Sequence, residues 1–118
     1  MTENELKQRL REFSLRILRP CAQLSTDPVG QAIARQLTRS GTSPGANYRA
    51  ACRAKSTADM INKMKIVEEE SDETGYWLEL LVEAEIIPQN QIALIYKETD
   101  EILAMTVTSI KTLRNRKS

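Results

Sequence analysis

"SGTSPGANYRAA", Ser40 to Ala51, is the stretch on which the fold of this chain turns. It holds Gly41, Gly45, Pro44 and three hydroxyl residues, and then runs into an ordinary helical pattern. A phosphate-cradling loop needs G-x-x-x-x-G-K-[ST] between a strand and a helix. Here no Lys-Ser/Thr follows the glycines and no strand pattern precedes them. A linker is excluded by phase. The apolar stripe Val29, Ile33, Leu37 continues through Ser40, Pro44, Asn47 and Ala51, with Tyr48 beside Asn47. The stretch therefore reads as a helix whose inner face turns small and polar. Gly41 and Gly45 lie one turn apart and lack a Cβ, so another backbone can approach them. Pro44 removes the hydrogen bond to the Ser40 carbonyl and is expected to bend the helix. Thr42 and Ser43 are expected to bond freed carbonyls. Two glycines and an internal proline cost on the order of 4 to 5 kcal/mol of helix propensity, which packing or function must offset.

Outward from this helix the pattern repeats. Leu6, Leu10, Phe13, Ile17, Cys21 and Leu24 form a helical stripe, which predicts a first helix over Glu3–Leu24 with Pro20 near its end. In "STDPVG" Asp27 supplies a cap and Pro28 a first helical residue. Ser56 and Asp59 match a capping pattern that opens a third helix over Thr57–Ile86. Its stripe is Met60, Met64, Val67, Ser71, Thr74, Leu78 and Leu81. Pro88 opens a fourth helix with Ile92, Ile95, Thr99, Ile102, Thr106, Ile110 and Leu113 inward, and "RNRKS" reads as a frayed basic tail. Four amphipathic helices on short connections predict an all-α, up-down-up-down antiparallel four-helix bundle, a single domain over residues 1–118. Helices two and three, at roughly 28 residues and 42 Å, are expected to project past a first helix of about 32 Å. The flank residues Ile61, Ile66, Tyr76 and Trp77 then need a cover, and a second subunit would supply it.

Composition narrows the chemistry. There are 118 residues, 41% apolar and 28% charged, and only five are aromatic. The polar N-terminus and the lack of a long apolar run predict a cytoplasmic protein without a signal peptide or membrane span. Cys21 and Cys52 read as small buried apolar groups. Without histidine there is no H-E-x-x-H and no Ser-His-Asp triad. Neither a cofactor nor a metal is expected.

Two polar constellations remain. About the Ala54–Thr57 turn, Arg39, Ser40 and Asn47 fall opposite Glu70, Glu73 and Thr74. The expectation is a buried, satisfied network that fixes the bundle's register. A catalytic or metal-binding carboxylate pair is the weaker reading, because di-iron bundles add Glu-x-x-His motifs that this chain lacks. The second constellation is charge. Residues 1–58 hold ten Lys/Arg against four Asp/Glu, and residues 59–118 hold seven against twelve. Arg9, Arg16, Arg19, Arg35, Arg49, Arg53 and Lys55 are the candidate contacts for RNA or DNA. The alternative is that these cations meet the acidic helices three and four within or between subunits. A module or scaffold that docks partner proteins, without binding nucleic acid, is the alternative function.

"RSGTSPGANYRAA" followed by "AKSTADMINKMKIVEEESDETGYWLELL" resembles the signature of four-helix-bundle proteins encoded in intervening sequences of bacterial 23S ribosomal RNA genes. The matching elements are Arg39-Ser40, Thr42-Ser43, Gly45 to Tyr48, Ala51, Ala54, Ser56, Asp59, Lys63, Ile66, Glu70, Glu73-Thr74 and Tyr76 to Leu78. The resemblance implies a ring-like homopentamer and a relation to accessory proteins of diversity-generating retroelements, which bind nucleic acid. It implies no enzymatic activity.

Overall fold

The four periodic segments form four helices: α1 (Glu3–Gln23), α2 (Pro28–Ala51), α3 (Thr57–Glu83) and α4 (Gln89–Lys117). The computed structural model describes residues 1–24 and 27–117. Ser25 and Thr26 of the first connection and Ser118 of the tail lie outside the described residues. Side-chain oxygens satisfy the amides that a helix start leaves unpaired. Thr2 accepts from the Glu5 amide at 3.1 Å, Asp27 from Val29 at 3.3 Å and Ser56 from Asp59 at 3.0 Å. The Asp59 carboxylate in turn accepts from the Lys55 amide. At the other end α3 stops at Glu83, short of the expected Ile86. Glu85 adopts a left-handed φ of 58°, and the Ile86 and Ile87 amides fold back onto the Leu81 carbonyl.

Neighbouring helices run antiparallel. Leu10 sits against Gly45 and Ile17 against Gly41. Gly75 faces Thr99, while Glu79 reaches Tyr96. Arg9 reaches Glu101 and Arg16 reaches Glu98. The short turn after Ala51 folds α3 back along α2. The result is a four-helix bundle measuring 49 × 21 × 20 Å, with its most open seam between α1 and α4. All four stripes converge on one core in which Leu10, Phe13, Ile17, Leu37, Met64, Leu78, Leu81 and Ile102 are fully buried. None of the helices is long and apolar enough to cross a membrane.

The opening stretch lies within an unbroken α2, and α1 is the helix that closes on it. A Cβ added at Gly41 would stand 2.6 Å from Ile17 Cγ2, and one at Gly45 would stand 3.4 Å from the Leu10 carbonyl oxygen. Several local expectations need correction. Tyr48 takes the buried position, and Asn47 lies half-buried beside it. Thr42 donates to the Thr38 carbonyl at 2.7 Å rather than to that of Ser40, and Ser43 Oγ accepts from the Asn47 amide. The long pair is α3 and α4, at 27 and 29 residues, because α2 has only 24.

One core group is unsatisfied. Ser71 is fully buried, and its hydroxyl has no hydrogen-bond partner among the described residues. Ser71→Ala removes that orphan and improves helix propensity, so it is expected to raise stability by about 1 kcal/mol. The check is a higher urea midpoint at unchanged slope. A lower midpoint would show that the hydroxyl is satisfied in solution.

Candidate nucleic-acid interface

Successive residues turn about 100° around an α-helix. A residue just before a buried position and a residue just after it therefore lie on opposite flanks. In an antiparallel pair the matching flanks of the two helices meet along one seam. That rule sorts the cations of this chain.

Arg9 and Arg16 each precede a buried residue of α1, Leu10 and Ile17. Glu98 and Glu101 likewise precede Thr99 and Ile102 on α4. These flanks meet across the open α1–α4 seam. Arg9 pairs with Glu98 at 3.4 Å and Glu101 at 2.7 Å, and Arg16 pairs with Glu98 at 3.0 Å. Two of the seven candidate nucleic-acid contacts are thus neutralised within the protomer.

The same flank joins α2 to α3. Arg39 precedes Ser40, while Glu70 and Glu73 precede Ser71 and Thr74. Arg39 donates to both oxygens of Glu70, at 3.1 and 2.9 Å, and to Glu73, which also accepts from Trp77 Nε1 at 2.9 Å. The bond to Glu70, more than the nearby charges, pushes the guanidinium pKa further up. The expected buried network is corrected here: the Arg39 side chain is 49% exposed. The three residues sit one position off the buried stripe, so their heads reach solvent while their stems lie along the seam. The other three residues of the set do not join them. Ser40 bonds the Leu37 carbonyl, Asn47 bonds Ser43, and Thr74 bonds the Glu70 carbonyl. Glu73→Ala is accordingly expected to cost no more than about 1 kcal/mol beyond Glu68→Ala, the range of an exposed pair. Paired urea titrations check this, and a difference of about 3 kcal/mol would restore the buried network.

The opposite flank carries cations that, among the described residues, pair with no carboxylate of another helix. Lys7 and Arg11 follow Leu6 and Leu10 on α1, Arg49 follows Tyr48 on α2, and Arg53 follows Cys52 just beyond its end. These flanks share the α1–α2 seam. A groove of about 580 Å³ is lined there by Lys7, Arg11 and Arg49 over a floor that includes Gly45 and Ala46. A second groove of about 540 Å³ shares Ala46 and Arg49 and continues past Arg53 to Lys55 in the α2–α3 turn and Lys63 on α3. Glu3 lies 3.5 Å from Lys7. Among the described residues, Arg11, Arg49, Arg53, Lys55 and Lys63 make no ion pair. Asp59, in the second groove, is the one carboxylate lining either, and it accepts from the Lys55 amide. Sequence reasoning found Arg49, Arg53 and Lys55 and missed Lys7, Arg11 and Lys63. The signal for the first two was their position immediately after the α1 stripe. Arg35 and Arg19 lie apart, Arg35 beside Cys21 and Leu24 and Arg19 facing the start of α4.

The candidate subunit contacts also divide. Ile61 is 8% exposed and belongs to the core, so it needs no second subunit. Ile66 and Trp77 are half-buried. Tyr76 is exposed and meets Trp77 edge-on at 5.1 Å between ring centroids. Exposed apolar area lies elsewhere too, above all at Leu94 on α4. Burial pushes the Cys21 and Cys52 thiols above their ordinary pKa, which keeps them protonated and weakly nucleophilic. The bond it donates to Glu79 pushes the Tyr96 phenol up to about 12. Among the described residues no group of three or more Cys, Asp or Glu is placed to hold a metal ion.

Comparison with known proteins matches these features to one group. The family model described as 23S rRNA-intervening sequence protein matches residues 2–108. Among solved structures the chain is similar to a protein with unknown function from the S23 ribosomal protein family of Bacteroides thetaiotaomicron VPI-5482. The two are 40% identical with a TM-score of 0.87, over 94% of this chain and 99% of that one. The search of curated proteins gives no match. The bundle, the small-residue stretch on α2 and the breadth of the match agree, and the chain belongs to the 23S rRNA-intervening sequence protein family.

Proposed function

We propose that this protein is a non-catalytic, self-assembling four-helix bundle that binds nucleic acid through the basic groove between α1 and the C-terminal half of α2. The observation that carries this reading is the division of cations. Arg9, Arg16 and Arg39 are held by carboxylates of the same protomer, while Arg11, Arg49, Arg53, Lys55 and Lys63 are left for another partner. Unpaired cations lining a concave surface favour a polyanion, because each phosphate contact releases condensed counterions. The kinship with retroelement accessory proteins that the sequence suggests points the same way. Assembly into five copies, also suggested by that resemblance, would repeat the groove around a ring and multiply its affinity. The absence of histidine and the raised thiols support a role without catalysis.

The test is fluorescence anisotropy with labelled nucleic acid across a salt series, beside light scattering of the protein alone. The expected mass is near five times 13.4 kDa. Arg49→Gln with Arg53→Gln is expected to weaken binding by at least tenfold at low salt, and Arg35→Gln to change it little. Equal losses in the two variants would remove the groove from the reading. A second reading, a scaffold for protein partners, is favoured by Leu94, which is 81% exposed beside the α1–α4 groove. It predicts no salt-dependent nucleic-acid binding at all.

A further inference from the structure

We infer that the groove recognises the phosphate backbone of a duplex, without reading base sequence and without stacking bases on aromatic rings. This inference rests on the proposed nucleic-acid role and specifies its ligand. Proteins that bind single strands combine a basic track with aromatic side chains on which bases stack. Sequence-specific RNA recognition likewise splays bases onto aromatic or guanidinium planes. This chain has five aromatic residues, and none lines either groove. Phe13 and Tyr48 are buried in the core. Trp77 is bonded to Glu73 with Tyr76 beside it, and Tyr96 is bonded to Glu79. The three aromatic groups that reach the surface are therefore set among carboxylates, which repel a polyanion.

The groove itself offers long flexible cations around small residues. Lys7, Arg11, Arg49, Arg53, Lys55 and Lys63 surround Gly45, Ala46 and Ala50. Lys7 and Arg11 stand one turn apart on α1, a rise of about 6 Å, while Arg49 lies in the last turn of α2 and Arg53 in the connection that follows it. Lys7 and Arg11 of α1 share one groove with Arg49 of α2, and Arg49 shares the next with Arg53, Lys55 and Lys63 of α3, so the cations form a patch rather than a line. A patch of charge suits the dense charge of a duplex, about one per 1.7 Å of axis, better than a flexible strand. Both double-stranded DNA and double-stranded RNA present this chemistry.

The experiment compares three labelled probes of equal length, a DNA duplex, an RNA duplex and an RNA single strand, each in two unrelated sequences. Binding to the intact protein is followed by anisotropy from low to physiological salt. At least one duplex is expected to bind about tenfold or more tightly than the single strand, with the two sequences agreeing within about threefold. The two duplex arms show which helix form is preferred. The slope of log K against log salt is bounded at about −5 if all six cations engage a duplex, and Arg49→Gln is expected to lessen it by about 0.9. A circular dichroism melt of Arg49→Gln matching the parent would tie that loss to the missing contact. A preference for the single strand or for one sequence would overturn the inference while leaving the nucleic-acid role standing. An unchanged slope in Arg49→Gln would overturn the assignment to this groove. Binding to none of the probes would overturn the role and the inference together.

Discussion

Phe13→Ala is expected to lower stability by about 3 to 5 kcal/mol, the largest loss from any single truncation in this protein. Phe13 is the only phenylalanine and the largest side chain that is fully buried. It lies in α1 between Leu10 and Ile17, which are buried equally deeply. Tyr48 apart, the remaining core is aliphatic and fixed on long helices, so little can move into the space the ring vacates. The cavity therefore adds to the lost transfer energy. In a chain of this size each kcal/mol corresponds to roughly 4 °C, so a melting temperature lower by about 12 to 20 °C is expected by calorimetry. Phe13→Leu keeps most of the volume and should lose less than half as much. Near-equal losses in the two variants would mean that this part of the core collapses freely.

The second large effect is expected at Gly41. Gly41→Leu should cost on the order of 3 kcal/mol or more, although leucine is by itself the better helix former by up to about 1 kcal/mol. The first atom added already meets Ile17, with Cγ2 at 2.6 Å, Cγ1 at 2.8 Å and Cβ at 3.0 Å. Contact extends to the base of the Ile17 side chain, so a rotamer change cannot relieve it. Ile17 is itself fully buried. The two helices must therefore separate, which also loosens Leu10 and Ser14 from Gly45. The milder Gly41→Ala supplies the sharper test. Combined with Ile17→Ala it should cost clearly less than the sum of the single changes, a coupling that a double-mutant cycle measures. Strict additivity would show that the α1–α2 approach does not depend on this pair.

The sequence by itself determined the four helices, the caps of α2 and α3 and most of the buried faces, since each follows from chemistry local to a turn or two. Asp27 with Pro28 and Ser56 with Asp59 are short-range signals, and the structure uses both. The small inner face around Gly41 was legible for the same reason: the stripe passes through it in phase. The end of α3 was less legible, because the left-handed turn at Glu85 falls on a residue that does not advertise it. Ile61 and Asn47 were misplaced by about one position around their helices, an angle that periodicity alone does not fix.

What only the tertiary structure decided is the fate of the charges. An up-down-up-down bundle can be closed in either of two hands, and the stripes are the same in both. In one hand the flank of α1 bearing Arg9 and Arg16 meets α4, and the flank bearing Lys7 and Arg11 meets α2. In the other hand these neighbours are exchanged, and Arg9 and Arg16 face the flank of α2 that carries Arg39. The structure takes the first hand, which gives Arg9 and Arg16 the carboxylates of Glu98 and Glu101 and gathers Lys7, Arg11 and Arg49 along one seam. Helical phase records how far around its own helix a side chain lies, but not which helix stands beside it. The physical difference is that phase is set within a turn of about 3.6 residues, whereas the pairing of flanks is set by residues some 90 positions apart, as for Arg9 and Glu98.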